Sequence, residues 1–240
     1  MKRILSAISV VALLVFSSCG NPADKTTTAS GTDTVAAVKD TVPVAVVKPA
    51  FKPFDVVEIG HTVKDYAKWK PAFDADSAAR IASGLGFIVI GRNQKNPNNL
   101  LVVLSVADVQ KAKDFAASPR LKEVMRKNGV ISKPVVDYFH IIRFSADSTI
   151  KQWVTITHQV KDFDAWVKVF DAEGTATRAS YGLSDAVLGR GINDSNSVHI
   201  VFDITDMKKA KARFADPKLK ALMKEGGVIG EPRVNIYTAQ

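Results

Sequence analysis

Four histidines, His61, His140, His158 and His199, are the side chains of this 240-residue chain best placed by type for proton transfer or ligation. His61 and His158 stand in matching contexts, His61-Thr62-Val63-Lys64-Asp65 and His158-Gln159-Val160-Lys161-Asp162. Each is a candidate ligand contact or general base in a cleft. The plainer reading is a buried imidazole bonded to backbone near the helix start at Asp65 or Asp162. A metal needs three or four ligands converging on one point. The counterparts of His140 and His199 in the matching segments are Thr238 and Leu101, so no symmetric four-histidine site can be built and no metal or other cofactor is expected. Arg92 and Arg190 each follow a glycine and could reach an anionic ligand, or could simply be solvated strand-end cations. Gly-x-Gly-x-x-Gly, P-loop, nucleophile-elbow and His-Glu-x-x-His motifs do not occur. The lone cysteine, Cys19, excludes an intrachain disulfide framework and a zinc site of several thiolates.

The elements that must position these residues come in two copies. From Val57 to Asp74, nine of eighteen positions are identical to the segment from Val154 to Asp171. Trp69, Phe73, Gly91, Arg92, Pro119, Met125, Gly129 and Pro134 recur as Trp166, Phe170, Gly189, Arg190, Pro217, Met223, Gly227 and Pro232. Each copy spans a small domain, longer than a solenoid repeat. Val57, Ile59, His61 and Val63 alternate on one face of a first strand. Asp65 and Asp162 then cap helices with the aromatic stripes Tyr66, Trp69, Phe73 and Phe163, Trp166, Phe170. These aromatics are expected in a core. Pro71 should kink the first helix or cost it a bond, whereas Lys168 leaves the second straight. Strands follow at Leu85–Gly91 and Leu100–Val106. Helices restart at Ser118-Pro119 and Asp216-Pro217 and end at Gly129 and Gly227. Last strands run from Val135 to Ile142 and from Val234 to Thr238.

The order strand, helix, strand, strand, helix, strand is the ferredoxin-like unit, with helices on one sheet face and the other face bare. The fold class is therefore α+β: two tandem ferredoxin-like units, residues 55–145 and 150–240, packed sheet to sheet. In element order and in the motif His-x-Val-Lys-Asp-[Tyr/Phe]-x-x-Trp-x-x-x-Phe-Asp, residues 55 to 240 resemble the dimeric α/β-barrel superfamily, which includes antibiotic-biosynthesis-type monooxygenases. The resemblance implies a barrel formed inside one chain where relatives dimerise. Within such a sheet strand 1 lies between strands 3 and 4, so His140 could neighbour His61 and His199 could neighbour His158. Alternation with Val198 and Ile200 turns His199 away from the most apolar face of its strand. Asn193, Asp194 and His199 make the second copy the more polar.

Lys2 and Arg3 precede an apolar run from Ile4 to Phe16, too short to span a bilayer. Ser17-Ser18-Cys19-Gly20 resembles the lipobox of bacterial lipoproteins. The resemblance implies a signal peptide over 1–18, acylation of Cys19, and a membrane partner reached through its lipid. Gly20 in place of Asp points to the outer membrane of the envelope. Residues 19–54, rich in Thr and punctuated by Pro43, Pro49 and Pro53, read as a flexible tether. The net charge of +9 falls largely on the second helices of each copy. In an exported protein that favours anionic lipid or polymer over nucleic acid. Three functions fit: an anchored barrel binding a small molecule, a cofactor-independent monooxygenase-like enzyme on a small aromatic or apolar compound, and a structural envelope protein.

Overall fold

The structure, a computed structural model, describes residues 51–240. The expected signal peptide, Cys19 and most of the expected tether lie outside the described residues. The first unit comprises β1 (Phe54–Thr62), α1 (Tyr66–Ala75), α2 (Ser77–Ala82), β2 (Leu85–Asn93), β3 (Asn99–Val106), α3 (Val109–Ala117), α4 (Pro119–Lys127) and β4 (Val135–Phe144). The second comprises β5 (Gln152–Val160), α5 (Phe163–Glu173), α6 (Thr175–Ser180), β6 (Leu183–Gly191), β7 (Ser197–Ile204), α7 (Met207–Phe214), α8 (Pro217–Glu225) and β8 (Val228–Ala239). All pairings are antiparallel, and the strands close in the order β1-β3-β2-β8-β5-β7-β6-β4. This is the dimeric α/β-barrel arrangement within one chain.

Two seams join the halves. Gly91–Asn93 of β2 pair with Tyr237–Ala239 of β8, and Phe139–Phe144 of β4 pair with Val187–Gly191 of β6. Gly91 and Gly189, equivalent in the repeat, are both seam residues. A Cβ on Gly91 would lie 2.6 Å from the Trp153 ring, and one on Gly189 would lie 2.8 Å from the His140 carbonyl. Only a residue without a side chain lets the two sheets approach so closely.

The local signals act as their chemistry requires. The Asp65 carboxylate accepts from the backbone N–H groups of Ala67 and Lys68, and Asp162 from that of Ala165. Pro119 and Pro217 open α4 and α8, and Gly129 and Gly227 leave them at φ 80° and 75°. Pro71 stays inside α1 because it and Ala67, whose carbonyl loses a partner, are both on the exposed side. The residue added in the second copy is Gly174, at φ 81°, which separates α5 from α6. One expected boundary is too short. Strand β8 begins at Val228 rather than Val234, because Val228 and Ile229 pair with Val160 and Gln159. In the first unit the equivalent Val130 makes only an isolated bridge to Val63.

Each half has its own core between sheet and helices. Val57, Leu100, Val102 and Leu104 pack with Trp69 in the first, and Val154, Val198, Ile200 and Phe202 with Trp166 in the second. Burial of one indole, roughly 200 Å², removes apolar area equivalent to about 5 kcal/mol. The tryptophans are thus the main fasteners of the helix layer.

Candidate functional site

Strand alternation sorts the sequence-predicted residues onto opposite faces of the barrel wall. His61 pairs in register with Leu100, which pairs with Arg92, and all three belong to the helix-facing side. His158, Val198 and Arg190 repeat the row. The His61 and His158 rings lie 5.4 Å from the Trp69 and Trp166 rings, centroid to centroid. Among the described residues none of their four ring nitrogens has a hydrogen-bond partner, so the expected backbone bond is not made. Burial pushes both imidazoles down to about 4. The Ile59 backbone opposes the shift at His61 without meeting hydrogen-bond geometry. Arg92 stacks over Tyr66 and donates to the Pro97 carbonyl at 2.8 Å, and Arg190 lies over Phe163.

The clefts beside these histidines are small, about 100 Å³ in the first unit and 90 Å³ in the second. The second is crossed by charge. Arg178 donates to both oxygens of Asp185 at 2.7 and 2.6 Å and to the Phe170 carbonyl, and Glu173 bridges it to Arg213. In the first unit Arg80 has, among the described residues, the Phe73 carbonyl and ring as its hydrogen-bond and stacking partners.

Neither of the histidine pairs that the sheet order allowed forms. His140 stands opposite Asp55, and its Nδ1 is 2.7 Å from the carboxylate, so it does not meet His61. The sheet order allowed that meeting, but the register of β1 on β4 sets His140 six residues along the strand from it. His199 stands opposite Thr157, one position from His158 and therefore on the other face.

That other face lines the barrel interior, where the larger spaces lie. A mainly apolar chamber of about 450 Å³ is walled by Val56, Val103, Ile141, Trp153, Val187 and Val201, with Phe54, Ile88 and Phe144 also on its wall. A polar chamber of about 320 Å³ is walled by Thr62, Asn99, Thr155, Thr157, Asn235 and Tyr237. Glu58 borders both. Its carboxylate lies 3.3 Å from His199 Nε2, and the two side chains are 9% and 2% exposed. They come from β1 and β7, so the pair reaches across the barrel between the halves. The His199 ring stacks on Phe139 at 4.1 Å and 11°, which fixes its plane. Its Nδ1 has no hydrogen-bond partner among the described residues. Burial, reinforced by the charge of Glu58, pushes the Tyr237 phenol up to about 12, so it remains a neutral donor. Asp203 also lines the apolar chamber; burial raises its pKa, and it accepts from the Asp147 N–H. Arg233 and Asp137, on the diametrically opposed strands β8 and β4, form a 2.6 Å ion pair across the end of the polar chamber.

The arrangement can hold a proton acceptor, Glu58, in a largely desolvated space, with an imidazole to orient it. His199 was recognisable in the sequence, whereas Glu58, Phe139 and Tyr237 were not singled out. The available signal was Glu58 itself: a carboxylate on the bare face of a central strand must be buried when the halves close.

No protein-family model matches this chain, and no curated protein does. Solved structures share its fold at low identity. An anthrone oxidase-like protein is 12% identical over 78% of this chain and 91% of its own, with a TM-score of 0.53. A candidate chlorite dismutase is 11% identical over 78% and 94%, with a TM-score of 0.52. A candidate monooxygenase from Fusobacterium nucleatum subsp. nucleatum is 9% identical over 78% and 92%, with a TM-score of 0.50.

Proposed function

We propose that this protein is a lipid-anchored envelope protein whose barrel binds one small, largely apolar molecule in its interior. The observation that carries the reading is the 450 Å³ chamber between the two sheets, with Glu58 and His199 buried in its wall. Interiors normally pack without voids larger than a water molecule. A space of this size, next to a carboxylate held away from water, suits a ligand better than a structural spacer. The sheet–helix clefts are less suited, being smaller and bordered by histidines that burial keeps neutral.

The anchor bears on how a ligand arrives. Phe51 packs on Phe54, and Phe54 on Phe144, at ring-centroid distances of 6.1 and 5.8 Å. Phe54 and Phe144 are on the wall of the apolar chamber, and the tether joins the barrel here. A chain acylated at Cys19 would tether this apolar rim to the membrane, where apolar molecules concentrate.

The test is a titration of the mature-length chain, made without residues 1–18 and with Cys19→Ser, against the neutral probe N-phenyl-1-naphthylamine. Saturable one-to-one binding is expected. Val201→Trp should weaken it by about tenfold or more, equivalent to ~1.4 kcal/mol, by filling the chamber. Absence of saturable binding, or indifference to the plug in a folded variant, refutes the reading.

A second reading, a cofactor-independent monooxygenase-like enzyme, draws on Glu58. A bound molecule with an acidic C–H could lose its proton to that carboxylate and meet dioxygen in the same dry space. Fold likeness to an anthrone oxidase-like protein makes anthrone a reasonable probe. Oxygen uptake that depends on anthrone and disappears in Glu58→Gln would favour this reading. Uptake equal to the buffer rate would remove it.

A further inference from the structure

We infer that the interior ligand is an amphiphile with a neutral, hydroxyl-bearing head, bound in one orientation and one copy per barrel; this rests on the interior-binding reading above. The barrel contains two chambers of opposite chemistry that meet at a single carboxylate. On one side the walls are mainly aliphatic and aromatic, with His199, Asp203, Asp147 and Lys151 also on them. On the other they carry hydroxyls and amides, chiefly Thr62, Asn99, Thr155, Thr157 and Asn235. A wholly apolar ligand filling the barrel would strip water from these groups and leave them unpaired. A wholly polar ligand would leave the larger chamber unused. A molecule with an apolar tail and a hydroxylated head satisfies both.

The charges select the head. Arg233 and Asp137 neutralise each other across the chamber end, and Lys133 is exposed at its edge. The carboxylate at the floor, Glu58, accepts hydrogen bonds, and His199 Nε2 already faces it at 3.3 Å; a cationic head would have to give up its hydration in the same buried space. An anionic head would face Glu58 in a space of low dielectric, which is costly. A neutral hydroxyl can donate to Glu58 and accept from the Tyr237 phenol, which also lines the chamber.

Asymmetry selects the orientation. The repeat would place a matching set of groups in the other half, but it does not. Glu58 is matched by Thr155, His199 by Leu101, Asp137 by Asn235 and Arg233 by Val135. The interior therefore has no two-fold symmetry in its polar groups, and a ligand bound with its head at Glu58 has no second equivalent pose.

Displacement of N-phenyl-1-naphthylamine from the mature-length chain tests this. Three amphiphiles sharing a ten-carbon tail are compared below their micellar concentrations: 1-decanoylglycerol, decanoate and decyltrimethylammonium. Decanoylglycerol should displace the probe at about tenfold lower concentration than either ion. Thr155→Val with Thr157→Val should reduce that preference to about threefold or less. Equal displacement by all three heads overturns the inference, as does a preference for an ion, or one that survives in the folded double variant. The head comparison in the unmodified barrel decides the matter even if the double variant does not fold. Failure of the probe itself to bind would instead refute interior binding.

Discussion

Acid should destabilise this protein through His61 and His158, and the size of the effect follows from their surroundings. Each imidazole is pushed down to about 4 by burial, against about 6.5 in an unfolded chain. The folded state keeps both rings neutral while the unfolded chain takes up protons below 6.5. The two histidines therefore impose no penalty above pH 6.5, and stability falls as pH drops from 6.5 toward 4. At ~1.4 kcal/mol per unit of pKa difference, each ring costs about 2.5 kcal/mol at pH 4.5, and the pair about 5 kcal/mol. That is a large part of the 5–15 kcal/mol typical of a domain. Urea unfolding at pH 7 and at pH 4.5, followed by the fluorescence of Trp69 and Trp166 beside the two rings, measures it. His61→Leu and His158→Leu should each reduce the pH-dependent loss by about 2.5 kcal/mol, and the double variant by about 5. At pH 7 the same changes should cost little, because the ring nitrogens have no hydrogen-bond partners among the described residues to lose. If wild type and double variant lose the same stability between the two pH values, the histidines are not buried and neutral, and the assignment of both to the helix-facing core fails.

Three further outcomes are expected. Cys19→Ser should move the protein from the membrane fraction to the soluble fraction; a variant that stays membrane-bound, with a wild type lacking acyl chains by mass, would refute the anchor. Residues 55–145 expressed alone should dimerise or aggregate, because β2 and β4 lose their seam partners and the inner sheet face is exposed; a well-behaved monomer by light scattering would contradict this. Gly91→Ala should destabilise the barrel by about 1–3 kcal/mol, because its Cβ collides with Trp153 and Tyr237; an unchanged urea midpoint would show that the β2–β8 seam is looser than described.

The repeat, the element order and the bare sheet faces were all legible in the residues, because they rest on local rules. Alternation along β1 and β5, caps at Asp65 and Asp162, and prolines at 119 and 217 act within a few residues of themselves. The same alternation foretold that His199 leaves the apolar face of its strand. What local rules do not contain is register between strands distant in sequence, and the candidate site is made of register. Glu58 and His199 lie 141 positions apart in the chain and meet only because two half-barrels close through β2–β8 and β4–β6. His140 missed His61 for the same reason: sheet order named the neighbouring strand, but its offset along β1 was decided by long-range pairing. The repeat also drew attention to the wrong pair. Residues equal in both halves, such as His61 and His158, serve what both halves need, which is a packed helix layer. The groups that make the interior chemically distinct, Glu58 against Thr155 and His199 against Leu101, are those in which the halves differ. Composition and spacing determined the units of this barrel; closure of the two sheets alone decided that an acid and an imidazole would face each other inside it.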